Sequence, residues 1–85
     1  MEQSLKQALL AAVRTAVGGD WQTAHLVAQE HDGEPLANWL HAVVHRMEGD
    51  LANASYWYRR SDRPLRKHVT TLAELGEIAE ALAAR

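Results

Sequence analysis

Gly19-Asp20 and Gly49-Asp50 stand thirty positions apart, and each pair lies between two stretches of helical periodicity. The flanks repeat as well, since Gly19-Asp20-Trp21-Gln22-Thr23-Ala24 is answered by Gly49-Asp50-Leu51-Ala52-Asn53-Ala54. A helix-turn-helix unit cannot bury its apolar face alone, whereas stacked copies make one continuous core, so the repeat constrains the fold more than any other feature. It predicts an all-α domain of two antiparallel helix-turn-helix repeats, about residues 4–32 and 34–61. A connector over 61–69 and a C-terminal capping helix over about 71–84 complete the 85 residues.

Local signals place the elements. Ser4 with Gln7 reads as a capping box opening the first helix, in which Leu5, Leu9, Ala12, Val13, Ala16 and Val17 share one face. Gly18-Gly19 ends it, because glycine enters the left-handed conformation without steric cost. Asp20 caps a second helix, about 21–31, with the stripe Trp21, Ala24, Val27 and Ala28. Asp32-Gly33 is a turn, and Pro35 suits a first helical position, where an amide proton would find no partner. A third helix runs to about Glu48 and a fourth begins after the Asp50 cap, its stripe Leu51, Ala54, Trp57 and Tyr58 repeating the second helix. Pro64 marks the connector. Thr71 with Glu74 reads as a further capping box, followed by the stripe Leu72, Leu75, Ala79 and Leu82.

Composition limits the function classes. A chain this short buries only about 60% of the surface it exposes when unfolded. Without cysteine there is neither a disulfide nor a thiolate metal site, which fits a reducing cytoplasm. No stretch approaches the roughly 20 apolar residues of a membrane span, and residues 1–10 lack a signal peptide's apolar centre. The net charge of -2 conceals a basic segment, Arg59, Arg60, Arg63, Arg66 and Lys67, opposed within it only by Asp62.

Aligned on Gly49-Asp50, the residues from Leu36 to Pro64 resemble a tetratricopeptide repeat. The resemblance rests on Ala42 at the helix crossing, the Gly-Asp turn, Ala54, Tyr58 and Pro64; residues 5–33 match more weakly through Ala12, Gly19, Asp20, Ala24 and Ala28. The period is 30, against about 34 in that family. Trp39 stands one place off the family's leading tryptophan, and His45 occupies its late aromatic position. The run Trp39-Leu40-His41-Ala42 to His45-Arg46, then Glu48-Gly49-Asp50 and Tyr56-Trp57-Tyr58-Arg59-Arg60, is also similar to a small group of bacterial proteins without assigned activity. The resemblance implies a helical repeat fold and a concave surface, on the first helix of each repeat, that meets a ligand. It would present Leu9, Val13, Trp39, Val43 and Arg46.

Three chemistries compete. Trp39 and Arg46, helped by Tyr56, Arg59 and Arg60, are candidate anchors for a protein or peptide partner, because large aromatics and arginine supply most interface hot spots. The competing reading folds the last helix into the groove and makes Trp39 core. His41 and His45, one helical turn apart, have the only metal-like spacing and would need a third ligand such as His25, Glu48 or His68. Against this, the repeat aligns them with Ala11 and Thr15, which predicts packed imidazoles hydrogen-bonded to Tyr58 or a backbone carbonyl. A plain helical wheel instead sets His41, His45, Asn38 and Glu48 opposite the stripe Leu36, Leu40, Val43 and Met47. The segment from Arg59 to Lys67 offers guanidinium groups to an anion or nucleic acid.

No nucleophile elbow or phosphate loop is present, no cofactor is implied, and the acidic residues of the last helix read as a solvated face. The expectation is a non-catalytic module that binds a protein or peptide, not nucleic acid or a membrane. A metal-binding or histidine-based enzyme centred on His41 and His45 is one alternative, and binding of an anion or nucleic acid through Arg59 to Lys67 is another. Three tryptophans in so short a chain leave a homodimer open.

Overall fold

The computed structural model describes all 85 residues. The chain is all-α: α1 (Gln3–Val17), α2 (Trp21–Glu30), α3 (Pro35–Glu48), α4 (Leu51–Arg60) and α5 (Thr71–Ala83). Helices α1–α2 and α3–α4 form two hairpins, and α5 follows the connector. No helix is long and apolar enough to cross a membrane.

The thirty-residue period is visible in individual hydrogen bonds. Gly19 and Gly49 take φ of 98° and 91°, a region closed to most side chains. This conformation turns the Asp20 amide back to the Thr15 carbonyl (3.1 Å) and the Asp50 amide to the His45 carbonyl (2.9 Å). Each aspartate then accepts the amide of the third residue onward, Thr23 or Asn53, at 3.1 Å. The hydroxyl and amide of Thr23 hold the Asp20 carboxyl below its usual pKa, and the amide and side chain of Asn53 do the same for Asp50.

Two caps differ from expectation. Glu2, not Ser4, caps α1, because its carboxylate reaches the amides of both Ser4 and Leu5. Thr70, not Thr71, caps α5, through Oγ1 and the Ala73 amide at 3.0 Å. Moving that cap back one residue removes Glu74 from a capping box and turns it inward.

Helix α3 occupies the centre and packs against α1, α2, α4 and α5. All nine residues from Leu36 to Val44 are buried, so the helical wheel and the repeat alignment do not conflict: both faces of α3 are covered. The buried residues Leu9, Ala12, Val13 and Ala16 of α1, Ala24 and Ala28 of α2, and Ala54 and Tyr58 of α4 join it in one core. Small Ala24, Ala28, Ala42 and Ala54 are fully buried, which lets helix backbones approach closely.

Helix α5 lies across α1 and α3, the first helices of the two hairpins, and covers the surface on which a ligand was expected. It inserts Leu75, Ile78 and Leu82, while Leu72 is 61% exposed, so the core stripe runs through Ile78 rather than Leu72. With these apolar residues comes a carboxylate. Glu74, 1% exposed, accepts from Trp39 Nε1 (2.7 Å), Arg46 Nη1 (2.7 Å) and Tyr58 Oη (2.6 Å). Arg46 Nη2 also donates to the Val69 carbonyl at 2.6 Å. The expected solvated face of α5 therefore includes a fully buried acid. Burying a charge is costly unless its lone pairs are occupied, and here three donors from α3 and α4 occupy them.

Candidate metal centre

Three histidines meet between α2, α3 and α4. His41 and His45 are one turn apart on α3, and the antiparallel course of α2 brings His25 alongside both. The ring centres are 4.7 Å apart for His25 and His41, 5.1 Å for His25 and His45, and 5.0 Å for His41 and His45. One ligand nitrogen from each ring lies within 4.8 Å of the others. Three imidazoles bound tetrahedrally at Zn–N distances near 2.0–2.1 Å would have ring centres roughly 5 Å apart and nitrogens roughly 3.3 Å apart. The ring centres are thus spaced for one ion, while the near-parallel planes of His41 and His45, 20° apart, require a ring to turn before both can face it.

The aromatic stack explains the placement of His41. Its ring lies on Trp57 of α4, with centres 3.8 Å apart and planes 11° from parallel, and His45 stacks beyond it. Arg60 covers Trp57 from the outside, its guanidinium carbon 5.1 Å from the ring centre. With its face covered, His41 can meet polar partners only through its edge. The expected hydrogen bond, to Tyr58 or to a backbone carbonyl, does not form at His41 Nδ1; the tyrosine hydroxyl donates to Glu74. His41 is 4% exposed, and its Nδ1 is buried without any hydrogen-bond partner. Such an atom is uncommon in folded proteins and calls for a reason.

Electrostatics keep the cluster ready for a cation. Burial, reinforced by His25 and His45, lowers the pKa of His41 to about 4. Burial and then His45 lower that of His25 as well. Neutral imidazole is the form that binds metals. Glu48 sits beside His45, its Oε1 3.0 Å from Nδ1, an arrangement that orients metal-bound histidines and leaves Nε2 for the ion. Of the candidate third ligands, His25 joins the triad, Glu48 contacts only its rim, and exposed His68 lies on the connector outside it.

The other candidate residues are placed differently. Trp39, 3% exposed, and Arg46 are held in the Glu74 network beneath α5, so neither projects from the surface. Tyr56 and Arg59 are exposed on α4, and Arg60 pairs with Asp32 at 2.8 Å. The basic segment turns largely toward the protein itself: Arg63 stacks 3.6 Å over Trp39, and Arg66 pairs with Glu77 at 2.8 Å. A depression of about 150 Å³ lies there, bordered by Trp39, Arg63, Pro64, Arg66, Glu74 and Glu77. Its charges largely neutralise one another.

Fold and site together define a small all-helical domain with a histidine triad between its two hairpins. No protein-family model, curated protein or solved structure matches the chain.

Proposed function

We propose that the domain binds one transition-metal ion through His25, His41 and His45. The observation that carries this reading is the meeting of three imidazoles, with one ligand nitrogen of each within 4.8 Å of the others, around a His41 whose Nδ1 is buried without a partner. Three imidazoles without thiolates suit a borderline divalent ion such as zinc, nickel or copper, and do not suit calcium or magnesium, which take oxygen ligands.

Recognition of a protein or peptide, the tetratricopeptide-like reading, ranks second. Its two strongest anchors, Trp39 and Arg46, are covered, and Arg60 is tied to Asp32. Tyr56 and Arg59 remain available on α4. A general role for the basic segment in binding nucleic acid is weakened further by its internal ion pairs.

Thermal melting of chelator-treated protein with and without zinc tests the leading reading. A ligand that binds only the folded state at 100 times its Kd adds about 2.7 kcal/mol. In a domain of this size each kcal/mol raises Tm by about 4–8 °C. The expected result is an increase of that order, one ion per chain by calorimetry, and loss of both in His25→Ala, which alters a half-buried ligand. An unchanged midpoint without binding heat would make the triad a packed aromatic cluster.

A further inference from the structure

The three histidines are not equally enclosed. His41 is sealed against Trp57, whereas His25 and His45 are both half-buried, the His45 side chain 13% exposed. This difference gives the triad a closed end at α4 and an open end between α2 and α3. A cleft of about 40 Å³ lies at the open end, bordered by Trp21, His25, Val44, His45 and Glu48. A water molecule needs roughly 10–15 Å³ on this measure, so the cleft has room for a ligand of two or three heavy atoms.

Charge points the same way. Three neutral imidazoles leave the full double charge of a bound ion uncompensated by its ligands. Glu48 is the nearest carboxylate at the cleft, but its Oε1 is held at His45 Nδ1. In that position it orients a ligand instead of becoming one. Trp21 and Val44 supply apolar walls that strengthen the attraction between the ion and an incoming anion.

Building on the metal-binding reading, we propose that the ion keeps a fourth coordination position facing the Trp21–Glu48 cleft. Water occupies it at rest, and a small monodentate anion exchanges with that water. Three protein ligands plus one exchangeable position distinguish reactive zinc sites from structural ones, which are closed by four protein ligands. The ligand class is a linear or compact anion of two or three heavy atoms.

The test loads the full-length chain with cobalt(II), whose visible absorption reports coordination, and titrates it with azide. The expected result is a one-to-one cobalt complex with a band that shifts saturably on adding azide. Glu48→Gln should weaken cobalt binding by about 10–100-fold, as loss of an orienting carboxylate does, while keeping the azide response. If the wild-type spectrum is unmoved by azide and a response appears only in Glu48→Gln, then Glu48 is the fourth ligand and the open position is overturned. Absence of a cobalt complex, or one that survives both His25→Ala and His41→Phe, overturns the metal-binding reading and this inference with it. His41→Phe keeps an aromatic ring against Trp57, so loss of binding there can be separated from unfolding by circular dichroism.

Discussion

At the scale of single residues, Glu74 and His41 are the two buried groups whose neighbours decide their worth. Glu74→Ala would strand Arg46 without its carboxylate and leave Trp39 Nε1 and Tyr58 Oη without their acceptor. Breaking a buried pair from one side costs about 3–5 kcal/mol, a large part of a small domain's stability, and urea denaturation should show it. His41 makes stability depend on pH in the metal-free protein. Its folded pKa of about 4 lies below the ordinary 6.5, so the unfolded chain takes up the proton first as pH falls. Its contribution is therefore present above pH 6.5 and lost progressively toward pH 4, to a total of about 3 kcal/mol. His25, His45 and Arg60 oppose that proton, and Asp32 favours it. His41→Phe should flatten this part of a stability profile measured by denaturation between pH 4 and 7. Little of either role is written locally. Glu74 sits three residues after a threonine and so imitates a cap, whereas its real signal is distant: Trp39, Arg46 and Tyr58 all need an acceptor.

At the scale of elements, the turns were legible and the helix faces only partly so. A glycine followed by a capping aspartate is self-contained chemistry, and both Gly-Asp turns form as the sequence predicts. Gly49→Ala should cost about 1–2 kcal/mol, because the left-handed backbone strains any side chain even though open space surrounds the Cα. Gly76 is the contrasting case. It lies exposed inside α5 with nothing near its missing Cβ, so Gly76→Ala should stabilise by about 1 kcal/mol in the same chemical denaturation assay. The face of α5 was harder to read because apolar residues surround much of this helix. Leu72, Leu75, Ala79 and Leu82 make as regular a stripe as Leu75, Ile78 and Leu82, and contact with α1 and α3 selects the second. The histidine cluster was legible on α3 alone, where His41 and His45 share a face. His25 became its partner only through the packing of α2, which spacing along one helix does not encode.

At the scale of the whole molecule, α5 converts two stacked hairpins into a closed domain. A chain ending at residue 69 would lose Leu75, Ile78 and Leu82 from the core together with the acceptor of the buried polar network. It should retain helical circular dichroism yet melt without a cooperative transition, and a peptide of residues 70–85 added in excess should restore one. The same dependence gives folding a direction in time. A ribosome delivers α1 through α4 first, with the Trp39 indole, the Arg46 guanidinium and the Tyr58 hydroxyl formed but unanswered, and Glu74 follows 16 residues after Tyr58. Synthesis at about 5–20 residues per second separates those events by roughly one to three seconds. For that interval the nascent chain presents an apolar face, making translation the stage at which this domain is most open to chaperones and to mispairing.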